Sequence, residues 1–122
     1  MATNEDYVAR HDELRQGFRG LHRAVPRTMA GFASMHAGAL EDGALSRVTK
    51  ELMALAIGIV DRCDGCIAFH VRGALKAGAT REQVEEAIGV AIFMGGGPAA
   101  VYASDAMAAL GQFEAQLAAP VP

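Results

Sequence analysis

The chain has 122 residues, of which 52% are apolar and 20% charged, with a net charge of −3; that length suits one domain, and that composition excludes a disordered chain. No Lys/Arg stripe stands out, which argues against nucleic acid and membrane as partners. The polar, acidic opening from Met1 to Asp6 leads into no apolar h-region, and no run is long and charge-free enough to span a bilayer, so a cytoplasmic protein is expected.

Helix is the only regular structure the pattern supports, because no stretch alternates β-branched and polar residues. The first helix is expected from about Asn4 to Leu21, with Tyr7, Leu14, Phe18 and Leu21 on one apolar stripe. Pro26 suits the first turn of a second helix, where a missing N–H is harmless. Met29, Phe32, Ala33 and Met35 supply its apolar content, and the stretch from Gly38 to Gly43 loosens its end. Ser46 can cap a third helix. Residues 48–60 of that helix are apolar on most sides, which predicts burial all round and makes Glu51 conspicuous.

A fourth helix is expected to start near Asp61 to Asp64, to carry Cys63 and Cys66 in its first turn, and to stop at Gly78. Thr80 to Gln83 reads as a capping box. It opens a fifth helix, from Arg81 to about Met94, with Val84, Ile88, Ala91 and Ile92 facing inward. The run Gly95-Gly96-Gly97-Pro98 breaks it, and a sixth helix follows from Pro98 to about Leu117. The expected architecture is all-α: a compact bundle of about six helices, one domain over residues 1–122. The third, fifth and sixth helices are too apolar for a monomer this small to cover, which predicts a homo-oligomer.

The chain has two cysteines, three residues apart. A bridge between them would constrain little of the unfolded chain, so redox or metal chemistry is the more natural reading. Cys63, Cys66 and His70 form a C-x2-C-x3-H pattern, and helical spacing puts all three on one face. The positive end of the helix dipole favours a thiolate there, and an imidazole one turn on can accept a thiol proton. Glu51, in an apolar helix, needs a partner. His70 is the leading choice, directly or through a water, and an ion pair with Lys50 or Arg47 is the alternative. Two other readings of the cysteines stay open: inert core thiols, or zinc held by Cys63, Cys66, His70 and Glu51 without the second Cys/His pair a structural zinc site normally has. His11, His22 and His36 lack such neighbours and receive no role. The Gly95–Gly97 run follows no strand and reads as a helix break rather than a phosphate loop. Tyr102 and Met94 are read as core packing.

Glu51, then Cys63-Asp64-Gly65-Cys66, then His70, followed by Ala-Gly-Ala-Thr-Arg-Glu-Gln at 77–83 and Met-Gly-Gly-Gly-Pro-Ala at 94–99, resembles the core of the AhpD-like (carboxymuconolactone decarboxylase) family, over roughly Pro26 to Leu110. The resemblance implies an all-α fold, homotrimers or homohexamers, no cofactor or metal, and a redox-active CXXC centre with Glu51, Cys63, Cys66 and His70 as its catalytic residues and proton relay. It implies an alkylhydroperoxidase-type thiol oxidoreductase. The substrate would be a hydroperoxide or disulfide, and the reductant a dithiol such as a lipoyl group or a thioredoxin-like protein. Proximity to His70 favours Cys66 as the thiol that attacks the peroxide, with Cys63 then closing the disulfide; the greater exposure expected for Cys63 favours the reverse order. Gly65 stands where the alkyl hydroperoxidase prototype has a second histidine, which favours thiol–disulfide exchange over strong peroxidase activity. True decarboxylases of the family generally lack the cysteine pair. The alternative is a non-redox enzyme or binding protein of the same fold, acting on a small lactone or acid.

Overall fold

Asp6, Ser46 and Thr80 each sit one residue before a helix and turn a side-chain oxygen onto an otherwise orphaned backbone N–H. In the computed structural model, which describes residues 5–120, the helices are α1 (Tyr7–Ala24), α2 (Pro26–Leu40), α3 (Arg47–Val60), α4 (Asp64–Ala77), α5 (Arg81–Gly95) and α6 (Gly97–Ala118). All regular elements among the described residues are helical. Asp6 sets the start of α1 by accepting from Ala9 N–H at 3.0 Å, later than the expected start at Asn4, which lies outside the described residues. Pro26 occupies the first turn of α2, and Gly38 does not end that helix. Both halves of the Thr80/Gln83 capping box form, at 3.2 and 2.9 Å.

The core lies between α3, α4, α5 and α6, where Leu55, Ile59, Ile67, Val71, Val84, Ile88, Leu110 and Phe113 are buried. Gln112 of α6 pins α1 to this core. Its side-chain oxygen accepts from Tyr7 N–H at 2.7 Å, and its amide donates to the Glu5 carbonyl at 2.9 Å. An Arg81–Glu114 ion pair ties the start of α5 to α6. α2 contributes no residue to this core, and its buried side chains are Met29 and Leu40. No helix among the described residues is long and apolar enough to cross a membrane.

Several inward-facing expectations are corrected. α3 is not buried all round, since Met53, Ile57 and Val60 are exposed. Leu21 of the first apolar stripe and Ile92 are exposed as well. A single chain this short has too few neighbouring helices to cover every apolar stripe.

The joint between α3 and α4 positions the cysteines. Arg62 N–H donates to the Ile59 carbonyl at 3.1 Å, and Cys63 N–H donates to the Gly58 carbonyl at 3.0 Å. These bonds form a Schellman motif, whose pivot is left-handed and usually glycine. Here the pivot is Arg62, at φ 59°. A side chain in that conformation costs on the order of 1 kcal/mol. We therefore expect Arg62→Gly to raise the unfolding free energy by about 1 kcal/mol, read as a higher denaturant midpoint at unchanged slope; an unchanged or lower midpoint would contradict this account of the turn.

Candidate active site

Two glycines let α3 and α4 approach closely enough to build the site. A Cβ at Gly58 of α3 would fall 2.7 Å from Cys66 Cβ, and one at Gly73 of α4 would fall 2.4 Å from Glu51 Oε2. The helices run antiparallel, so the start of α3 faces the latter half of α4. Glu51, only 2% exposed, thereby reaches His70, with Oε2 2.9 Å from Nδ1. Its other oxygen lies 3.6 Å from Arg47 Nη2. Both partners foreseen for this carboxylate, His70 and Arg47, are present at once, while Lys50 instead donates to the Glu41 carbonyl. With Nδ1–H donating to the carboxylate, His70 keeps Nε2 as an acceptor.

The cysteines are not equivalent. Cys63 stands just outside α4 as its N-cap, a correction to the expectation that both cysteines lie within the first turn. Its Sγ accepts from Cys66 N–H at 3.1 Å, a bond that negative charge on sulfur strengthens. Cys66 is inside the helix, beneath Gly58. The thiolate expected at the helix start is corrected for Cys66: burial pushes its thiol up to about 12, with the hydrogen bond and charge of Cys63 and the carboxylates of Asp61 and Asp64 acting in the same direction. Both cysteines are free thiols. Among the described residues no three His, Cys, Asp or Glu side chains are grouped to hold a metal ion.

Cys63, Cys66 and His70 open into a cavity of about 530 Å³, walled mainly by apolar side chains that include Leu14, Phe18, Met29, Phe32 and Phe69. Arg10 of α1 lies 3.3 Å from Asp64, an ion pair over the cavity rim.

Residues 26–109 match the model of the carboxymuconolactone decarboxylase family. The chain belongs to that family. An apo crystal structure of a family member from Legionella pneumophila superposes with a TM-score of 0.85 at 37% identity, covering 88% of this chain and 96% of that one. A Thermotoga maritima structure gives a TM-score of 0.76 at 29% identity, covering 91% of this chain and 95% of that one. An uncharacterized protein of Cupriavidus necator is 42% identical over 84% of this chain and 91% of its own length. Another, encoded in the cox locus of Paracoccus denitrificans, is 47% identical over 60% of this chain and 66% of its own.

This family member also places two histidines that the sequence left without a role. His36 of α2 stacks on His70, with ring centroids 6.4 Å apart and planes 17° apart. His11 of α1 is buried, edge-on to Phe69 at 4.9 Å and to Phe113 at 6.0 Å. Burial, then Arg72 and Arg15, hold His11 below the usual histidine range, against an opposing pull from Asp12. No sequence spacing signals either contact, because α1 and α2 reach α4 only through tertiary packing. Met94 is exposed, and Tyr102 packs against the core.

The contrast between the thiols has a direct readout. Iodoacetamide at neutral pH should label Cys63 about 10-fold faster than Cys66, by peptide mapping, with Cys66 labelling climbing as the pH rises towards 12. The folded Cys66 thiol ionises above the usual 9.0, so its contribution to the stability of the reduced chain is intact below about pH 9 and lost as the pH climbs to about 12. Equal labelling, or faster labelling of Cys66, would refute the assignment.

Proposed function

We propose that the chain is a thiol–disulfide oxidoreductase that reduces hydroperoxides through Cys63 and Cys66, with Glu51 and His70 relaying protons. The observation that supports this reading most is the 2.9 Å contact between His70 Nδ1 and buried Glu51, one helical turn from Cys66 in a shared cavity. A thiol pushed up to about 12 is protonated at rest and becomes a nucleophile only when a base takes its proton. His70 Nε2 is that base, and Glu51 stabilises the imidazolium that results.

In the first step the Cys66 proton passes to His70 and the sulfur attacks the outer peroxide oxygen. The O–O bond breaks, the alkoxide leaves with the proton from His70 as an alcohol, and Cys66 becomes a sulfenic acid. Cys63 then attacks the Cys66 sulfur, hydroxide leaves with the Cys63 proton as water, and the disulfide forms. An external dithiol, such as a lipoyl group or thioredoxin-like protein, supplies two electrons and two protons by attacking Cys63, which releases Cys66 to be reprotonated. A resting dithiol suits a reducing compartment such as the cytoplasm.

The same reading includes a homo-oligomer, a homotrimer or homohexamer. Ile57 at 59%, Phe93 at 83% and Val101 at 64% exposure are large apolar side chains left open on α3, α5 and α6. Val60, Gly95 and Ala99 bring these three helices together. A second copy of the chain, carrying the same apolar face, is the occupant this surface fits.

Three substitutions should produce one phenotype. Glu51→Gln, His70→Asn and Gly73→Ala, whose new Cβ would displace the carboxylate, should each slow peroxide consumption about 100-fold while Cys63 alkylation stays as in the unsubstituted protein. Cys63→Ser and Cys66→Ser should each abolish turnover, and full activity in both would end the proposal. Phe93→Glu should lower the sedimentation mass; a parent chain that sediments as a monomer would remove the oligomer.

A further inference from the structure

We propose that a second, cationic cavity beside the thiol centre binds carboxylate, and that the hydroperoxide reduced there is an amphiphile with an apolar body and an anionic end. The substrate half of this statement rests on the redox reading above; the binding half does not.

This cavity of about 460 Å³ shares His36, Phe69 and His70 with the cysteine cavity. Its charge sets it apart. Arg15 of α1, Arg47 of α3, and Arg72 and Lys76 of α4 all line it. The chain as a whole is acidic, yet four of its eleven Lys and Arg residues meet in this one place. The one carboxylate in the lining is Glu51, and His70 and Arg47 already engage it. Among the described residues Arg15, Arg72 and Lys76 have no hydrogen bond or ion pair.

Like charges gathered without counter-ions repel, and half-buried Arg72 is partly desolvated as well. An anion seated among them removes both costs, and guanidinium forks match the two oxygens of a carboxylate. The buried His11 ring feels the same field, since Arg72 and Arg15 both disfavour its charged form. The adjoining cavity is largely apolar and holds both thiols. A ligand spanning the shared wall would therefore rest its chain on Phe18, Phe32 and Phe69 and place its carboxylate by Arg72 and Lys76. A neutral hydroperoxide would use only the apolar half.

Decanoate and decanol are suitable probes, titrated calorimetrically into the reduced protein. Decanoate should bind at one site per chain, more weakly as salt rises, and about 10-fold more tightly than decanol. Arg72→Gln/Lys76→Gln should erase that advantage and leave decanol binding unchanged; Arg15→Gln, checked with the double variant for an unaltered melting curve, should give a smaller loss. Equal binding of the two probes, or a double variant that holds decanoate as the parent does, overturns the anion site. A fatty-acid hydroperoxide and its methyl ester then test the substrate. The acid should be preferred, with the double variant raising KM for the acid alone. Equal turnover of acid and ester sinks the substrate class and spares the redox reading. Decanoate binding without turnover of either sinks the redox reading and spares the anion site.

Discussion

The contact between α3 and α4 is made where two glycines leave room for side chains of the opposite helix. Gly58 accommodates Cys66, and Gly73 accommodates the Glu51 carboxylate. A methyl group at either position would collide with the atoms now filling that space. The approach has a chemical result, because it carries a carboxylate into a place only 2% exposed. Such a group is stable only with hydrogen-bonding or charged partners, and His70 and Arg47 supply them. Packing and charge pairing are thus one constraint in this protein: the helices cannot separate without breaking the Glu51–His70 contact, and Glu51 cannot turn away without leaving a hole against Gly73.

The second consequence of the joint is asymmetry between two sulfurs within one turn of helix. Cys63 serves both motifs at once, its N–H closing the end of α3 and its Sγ capping the start of α4. Cys66, three residues on, lies under α3 and is pushed up by burial. In the proposed dithiol cycle, a sulfur that accepts a backbone hydrogen bond and a buried thiol that needs a base would divide the labour between two unlike partners. α1 and α2 complete the enclosure through rings. Phe18 stacks on Phe69 at 5.7 Å, and His36 stacks on His70. The helix least embedded in the core, α2, therefore supplies part of the wall around the reactive groups.

Much of the fold was legible because helix ends are local chemistry. Ser46, Thr80 with Gln83, Pro26 and Gly78 act through bonds or backbone preferences spanning a few residues, and each stands where the pattern placed it. The turn at Arg62 was not legible, since an arginine in a left-handed pivot follows no propensity and is held there by the two bonds that close α3. Burial was legible only in part. Periodicity tells which residues share a stripe but not whether another helix covers it, so Ile57 and Ile92 read as core and stand exposed.

For the site, the sequence by itself determined which reactive groups share a helix face. Cys66 and His70 are four residues apart in α4, and a helix of regular pitch leaves them no other relation. It also marked Glu51 as a charge in need of a partner. The tertiary structure alone decided that the partner is His70, that His36 and His11 belong to the surroundings, and that Arg15, Arg47, Arg72 and Lys76 face one cavity. The physical reason is that helical pitch is set by bonds four residues long, whereas the approach of α1, α2 and α3 to α4 depends on which side chains happen to be small enough, or flat enough, where the helices meet.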